Sequence, residues 1–98
     1  MMTAALIHAL QNFFSSKPVE KAWLFGSFIR GEERPDSDID IMVRLKHDVP
    51  VGLGYFRMID DLQSLCNRRV DLVDEEMIDP HIVNDVVSER VLIYERNA

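Results

Sequence analysis

The stretch GSFIRGEERPDSDIDIMV, residues 26–43, decides the fold because it joins two predicted strands through a short polar connection. Apolar residues alternate with other residues from Asp38 to Leu45, and this period of two predicts a β-strand. The dense apolar run before it predicts an earlier strand, Val19–Phe25, buried on both faces. Between the strands, Ser27–Arg30 has room for about one helical turn, which Gly31 closes.

Helices and strands alternate along the rest of the chain. Amphipathic spacing predicts helices at Thr3–Ser15 and at Tyr55–Cys66, and a third helix that Asp79 caps. Short apolar runs predict strands at Val70–Val73 and Val91–Tyr94. The alternation indicates a mixed α/β (α+β) class, in a single domain over residues 1–98.

The predicted buried faces and the loops follow from the same spacing. The second helix is expected to bury a stripe formed by Tyr55, Met58, Ile59, Leu62 and Leu65. The third helix is expected to bury a stripe formed by Ile82, Val83, Val86 and Val87. Residues 32–37 are predicted as a polar loop, and residues 47–54 as a turn-rich connection. The acidic stretch Asp71–Asp79 is interpreted as a solvated loop, with a surface for a basic partner as the alternative.

Composition limits the classes of protein that the chain can belong to. Its 98 residues are 47% apolar and 29% charged, which is typical of one small globular domain. The net charge of −6, from 11 basic and 17 acidic residues, argues against direct nucleic-acid binding. One cysteine cannot form an internal disulfide, and no basic leader or apolar span of about 20 residues is present. We therefore expect a cytoplasmic protein without a membrane segment.

Asp38 and Asp40 lie two residues apart on the predicted strand and so share one face. Strand geometry places their Cα atoms roughly 6.6 Å apart, a separation at which two carboxylates repel each other. A divalent cation between them would remove the repulsion, and ligands that are all oxygen favour Mg²⁺ or Mn²⁺. The alternative is a pair of solvated aspartates at the start of a strand.

Gly26 and Ser27 stand where a buried strand ends and a helical turn begins. Such a turn offers backbone N–H groups that suit a phosphate. The glycine allows close approach of the anion, and the serine adds a hydroxyl donor. The alternative is an ordinary turn between a strand and a helix.

Asp71 is the third carboxylate of interest, in the run RVDLV at residues 69–73. If its strand neighbours Asp38–Leu45, Asp71 joins the other two carboxylates, and the set fits two-metal catalysis at a phosphate. A charge at a strand edge is the alternative. Other sites are disfavoured, because the chain has no G-x-x-x-x-G-K-[ST] loop and its three histidines are scattered.

The order of these motifs resembles a known family. Gly-Ser, followed about ten residues later by Asp-x-Asp, resembles the DNA polymerase β-like nucleotidyltransferase superfamily. The fuller strings, GSFIRG at residues 26–31, SDIDIMV at 37–43 and VDLV at 70–73, resemble the minimal nucleotidyltransferases of prokaryotes. The resemblance covers nearly the whole chain and implies a short mixed β-sheet backed by helices.

The resemblance also implies a mechanism and a partner. Asp38, Asp40 and Asp71 would hold two Mg²⁺ ions, with Mn²⁺ as an alternative, and Asp71 would complete the metal that activates the attacking hydroxyl. Gly26 and Ser27 would hold the triphosphate of ATP. Such proteins are antitoxins that transfer AMP to a tyrosine of an all-helical HEPN ribonuclease toxin.

Arg30 matches the arginine of the same family string and is expected near the phosphates. A structural ion pair with Glu32 or Glu33 is the alternative. The small chain leaves little surface for the acceptor, which favours an oligomer or a complex with a protein partner over a free enzyme.

Two other functions stay open at this point. One is a non-catalytic antitoxin that neutralises its partner by contact. The other is transfer to a small molecule, as in the aminoglycoside nucleotidyltransferases.

Overall fold

The structure is a computed structural model that describes residues 4–31, 38–46 and 52–96. Helices and strands alternate as the sequence predicts. Their bounds, in chain order, are α1 Ala4–Ser15, β1 Val19–Phe25, α2 Ser27–Arg30, β2 Ile39–Leu45, α3 Gly54–Cys66, β3 Val70–Asp74, a 3₁₀ helix Glu75–Met77, α4 Pro80–Glu89 and β4 Val91–Glu95.

The four strands form one mixed sheet in the order β3-β2-β1-β4. Strand β1 pairs antiparallel with β2 and β4, whereas β2 pairs in parallel with β3. The central position of β1 explains its composition, because Ala22, Trp23 and Leu24 are consecutive and all three are buried. The short mixed sheet that the family resemblance implies is therefore confirmed.

The hydrophobic core lies between one face of this sheet and the helices α1 and α3. Leu10 and Phe14 of α1 and Met58 and Leu62 of α3 are buried there. They pack against residues of the sheet, namely Val19, Ala22, Leu24, Ile39, Ile41, Val43, Val70 and Ile93. Burial of this apolar surface is the main favourable contribution to folding.

The opposite face of the sheet carries charged residues around Trp23 and Met42. The Arg90 guanidinium lies 3.9 Å from the centre of the Trp23 ring. Its Nη1 donates to Glu75 Oε2 at 2.6 Å, while Arg44 Nε donates to Glu75 Oε1 at 2.8 Å. Burial raises the pKa of Glu75, but these hydrogen bonds outweigh it and hold the pKa below its ordinary value.

Three details of the sequence interpretation are wrong. Leu65 and Val87, expected on buried faces, are 43% and 42% exposed. On α3, Met58, Leu62 and Cys66 form a row four residues apart that packs on the core, and Leu65 lies off that row. Glu75 is held by two arginines and is not part of a solvated loop.

Other predictions on local structure are confirmed or untested. The predicted cap is confirmed, because the Asp79 side chain accepts a hydrogen bond from the His81 N–H. The structure also shows that Asn67 ends α3 in the left-handed conformation (φ 54°). The predicted loop at 32–37, most of the connection at 47–54, and the side chains of Ile82 and Val83 lie outside the described residues. Across residues 4–31, 38–46 and 52–96, no helix combines the length and apolar character needed to span a bilayer.

Arg96 joins the end of the chain to the end of α1. Its Nη2 donates to Lys17 O at 2.6 Å and to the carbonyls of Phe14 and Ser15 at 3.3 Å, and its Nε donates to Val19 O at 3.1 Å. The last carbonyls of a helix have no partner within the helix. The guanidinium therefore adds charge-assisted hydrogen bonds at the end of α1, where the Phe14 carbonyl also accepts from the Lys17 N–H at 3.1 Å and the Lys17 carbonyl from the Val19 N–H at 2.8 Å.

We expect Arg96→Ala to lower the free energy of unfolding by about 1–3 kcal/mol, because charge-assisted hydrogen bonds to these carbonyls are lost. Urea denaturation followed by circular dichroism measures the change. Arg57→Ala, at an exposed position of α3, is the matched control and should change stability by less than about 0.5 kcal/mol. Equal effects of the two substitutions would contradict the role of Arg96.

Candidate active site

The candidate site begins at the end of β1, where Gly26 turns the chain into α2. Gly26 has φ +77°, in the region that residues with a side chain rarely adopt. Its carbonyl accepts hydrogen bonds from the N–H groups of Ile29 at 3.0 Å and Arg30 at 3.1 Å, which close the short helix. Ser27 is the first residue of α2, and its side chain lies outside the described part of the structure.

Asp40 lies directly against Gly26. A Cβ added to Gly26 would collide with the Asp40 carboxylate oxygen Oδ2 and would lie 3.0 Å from Cγ and 3.3 Å from Cβ of Asp40. Only a residue without a side chain fits at this point. The glycine of the Gly-Ser motif is thus explained by its contact with the second aspartate of the Asp-x-Asp motif.

Two of the three predicted carboxylates lie on neighbouring strands, and the third comes directly before one of them. Asp40 on β2 and Asp71 on β3 are register partners in the parallel pair. Asp38 is exposed and immediately precedes β2, rather than opening the strand as the sequence analysis expects. Asp71 is exposed, whereas Asp40 is partly buried. The condition that the strand of Asp71 neighbours the strand of Asp40 is therefore met.

The charge of Asp40 is affected by its burial and by the neighbouring carboxylates. Burial raises the pKa of Asp40, and the negative charges of Asp71 and Asp38 raise it further. Arg30 lowers the pKa and Glu89 raises it. Asp40 is thus a carboxylate whose charge is disfavoured by its surroundings and would be favoured by a nearby cation.

The donor set fits a hard divalent cation. Asp38, Asp40 and Asp71 offer only carboxylate oxygens, which are the ligands that Mg²⁺ and Mn²⁺ prefer. As the side chains stand, no three acidic, His or Cys groups among the described residues close around a common ion position. Asp38 and Asp71 are exposed, so their side chains can turn towards a cation at the edge of Asp40.

Arg30 pairs with a residue that the sequence analysis did not single out. Its Nη1 donates to Glu89 Oε1 at 3.0 Å, which joins α2 to the last residue of α4. The expected alternatives, Glu32 and Glu33, lie outside the described residues. Because Arg30 and Glu89 are 59 positions apart, no local pattern could have revealed the pair.

The contact between Gly26 and Asp40 leads to a prediction about stability. We expect Gly26→Ala to destabilise the protein more than Gly31→Ala, which is the matched control. Both glycines have positive φ (77° and 72°), so both substitutions incur backbone strain of about 1–2 kcal/mol. A Cβ at Gly31 would meet no atom of the described chain within 4 Å. Urea denaturation gives the loss in free energy of unfolding for each variant. The amount by which the loss for Gly26→Ala exceeds that for Gly31→Ala measures the collision with Asp40. Equal losses for the two variants would contradict the collision.

Asp40→Asn is expected to raise the free energy of unfolding at pH 7 in the absence of divalent cations. The pKa of Asp40 is higher in the folded state than its ordinary 3.8, so its ionisation at neutral pH destabilises the fold. The advantage of the variant should be full above the folded pKa and should shrink as the pH falls towards 3.8. Denaturation in EDTA across this pH range measures it. The exposed Asp61→Asn is the control, and a destabilised Asp40→Asn at pH 7 would contradict the argument.

Comparisons with known proteins agree with this geometry. Residues 8–98 match the family model described as polymerase beta, nucleotidyltransferase. The protein adenylyltransferase MntA of Thermococcus cleftensis is 35% identical over 75 residues, which cover 76% of this chain and 75% of that relative. These matches extend well beyond the Gly-Ser and Asp-x-Asp motifs.

Solved structures show the same fold. A structure provisionally named a minimal nucleotidyltransferase aligns with a TM-score of 0.76 and 30% identity, covering 89% of this chain and 88% of its own. A complex of a tri-AMPylated HEPN toxin with its MNT antitoxin, from Shewanella oneidensis, aligns with a TM-score of 0.74 and 21% identity, covering 97% of this chain and 74% of the matched chain. The resemblance predicted from the sequence is confirmed: the chain belongs to the polymerase β family of nucleotidyltransferases.

Proposed function

We propose that this nucleotidyltransferase transfers AMP from ATP to a hydroxyl group, and that the acceptor is a tyrosine of a cognate HEPN ribonuclease toxin. The observation that carries the proposal is the pairing of Asp40 with Asp71 beside Gly26, where the backbone turns without a side chain. This arrangement supports a site in which the carboxylates and the backbone of Gly26 face the same bound nucleotide. A site that uses ATP also fits a protein of the cytoplasm.

In this proposal Asp38 and Asp40 bind two Mg²⁺ ions and Asp71 completes the ligands of one of them. When bound, the two ions neutralise the charge that develops on the α-phosphate and on the departing pyrophosphate. The raised pKa of Asp40 supports the assignment, because a carboxylate crowded by burial and by two other carboxylates is stabilised by a divalent cation.

The nucleotide would lie at the start of α2. Gly26 and Ser27 hold the triphosphate, and the close approach that Gly26 permits supports this role. Arg30 binds a phosphate oxygen. Its planar fork of N–H donors matches the geometry of a phosphate, and its Nη1 also donates to Glu89.

The chemistry that remains for the protein is positioning and proton transfer. The acceptor oxygen attacks the α-phosphorus, the bond from that phosphorus to the bridging oxygen breaks, and pyrophosphate leaves with the electron pair. Asp71 accepts the hydroxyl proton. Its exposure on β3 supports this role, since a tyrosine of another protein can approach it from solvent.

The relatives support both AMP transfer and a HEPN acceptor. The Thermococcus relative is named a protein adenylyltransferase. In the Shewanella complex, an AMPylated HEPN toxin is bound to an MNT antitoxin of the same fold. A protein acceptor also fits a small site that is open to solvent at Asp38 and Asp71.

Transfer is tested with ATP labelled at the α-phosphate, Mg²⁺ and the purified cognate toxin. We expect label on the toxin with wild type and a loss of more than about 100-fold with Asp40→Asn, since even partners of metal ligands contribute about 10–100-fold. Asp61→Asn, an exposed change of the same kind on α3, should retain full activity. EDTA should abolish labelling by wild type.

The same variants separate catalysis from contact in cells. If transfer neutralises the toxin, cells that express it survive with wild type or Asp61→Asn and die with Asp40→Asn. Survival with Asp40→Asn, together with absent labelling, would overturn the proposal in favour of a contact antitoxin. Labelling of an aminoglycoside and not of the toxin would favour the small-molecule alternative.

A further inference from the structure

The ion pair between Arg30 and Glu89 connects the candidate nucleotide site to a distant part of the chain. Arg30 Nη1 and Glu89 Oε1 are 3.0 Å apart, and the two side chains are 49% and 33% exposed. Exposed pairs contribute little to stability. The pair nevertheless lies where Arg30 is expected to meet a phosphate, so it can affect ligand binding more than folding.

The backbone at Glu89 is held in place because the residue after it is anchored. The Arg90 N–H donates to Val86 O at 3.0 Å, which ends α4. The Arg90 guanidinium is held by Glu75 at 2.6 Å and stacks on Trp23 at 3.9 Å. The end of α4 is therefore attached to the charged face of the sheet, and Glu89 projects from an anchored junction.

The pair also lies within electrostatic reach of Asp40. Arg30 lowers the pKa of Asp40 and Glu89 raises it. The backbone places Arg30 beside the candidate site as well, because its N–H donates to the Gly26 carbonyl at 3.1 Å and Gly26 lies against the Asp40 carboxylate.

We propose that Glu89 is a positioning residue that orients the Arg30 guanidinium towards the phosphates of the nucleotide. This inference rests on the proposed function, because it requires ATP at Gly26. An arginine side chain loses rotamer freedom when it is fixed in one orientation. A carboxylate that already holds one of its nitrogens reduces what the ligand must still order.

The sign of the effect distinguishes this role from simple charge repulsion. If Glu89 acted only through its charge, its removal would strengthen the binding of the anionic triphosphate. If Glu89 orients Arg30, its removal weakens that binding although a negative charge has been taken away. A merely structural role would instead lower the melting temperature and affect all nucleotides alike.

The test is a calorimetric titration of the full chain with Mg²⁺ and either ATP or AMP. We expect Glu89→Gln to weaken ATP binding about three- to five-fold, the range of an exposed ion pair, and to change AMP binding less than two-fold. The melting temperature should stay within about 2 °C. Glu95→Gln is the matched control, because it removes the same charge from the ion pair with Lys21 at 3.3 Å on β4. It should change neither affinity.

A double-mutant cycle shows whether Glu89 acts through Arg30. Arg30→Gln should weaken ATP binding, and adding Glu89→Gln should cause no further loss, while Glu89→Asp should retain part of the wild-type affinity. Unchanged or tighter ATP binding by Glu89→Gln, or additive losses in the double variant, would overturn the positioning role and leave the proposed transfer intact. A wild-type protein that neither binds ATP nor labels the toxin would overturn both proposals.

Discussion

The parallel pairing of β2 with β3 is the constraint on which the candidate site depends. It sets Asp40 beside Asp71 in register, although the two residues are far apart in sequence. On the other side, β1 brings Gly26 against the Asp40 carboxylate, where a Cβ would not fit. A shift of one residue in either register would turn Asp40 to the opposite face of the sheet. The apolar residues that alternate with the aspartates along β2 and β3 stabilise this register, because they are buried against α1 and α3.

The arrangement also brings like charges close together, which is electrostatically unfavourable. Asp40 is partly buried near two other carboxylates, and its pKa is raised by burial first and by these charges second. This is unfavourable for the protein alone and favourable for cation binding, as is common at catalytic sites. The opposite face of the same sheet is covered by helices, and the hydrophobic stabilisation from that face offsets the unfavourable charge of Asp40.

Features that depend on neighbouring residues could be predicted from the sequence, and contacts between residues far apart in sequence could not. Alternation of apolar residues is a property of a few neighbours, so Val19–Phe25 and the core of β2 are confirmed with errors of one residue at most. Which face of a helix is buried depends on the sheet beneath it. Leu65 is therefore exposed, while Cys66 packs on the core.

The candidate site divides in the same way. Short motifs indicate Gly26, Asp38 and Asp40, and the family resemblance adds the placement of Asp71. The ion pair from Arg30 to Glu89 joins elements 59 positions apart, and nothing in the residues around either partner marks it. The same holds for Glu75, which appears in the sequence as part of an acidic run and in the fold as the partner of two arginines.

The two faces of the sheet therefore have different tasks. Ile39, Ile41 and Val43 point into the core, while Asp40 and Met42 alternate with them and point to the charged face. On that face, Arg90 contacts Met42 and Trp23 and binds Glu75, so the end of α4 is attached close to Asp40. The charged cluster thus links the apolar sheet to the ionic residues of the site. It gives α4 a defined position without covering Asp38 and Asp71, which stay open to solvent and to a partner.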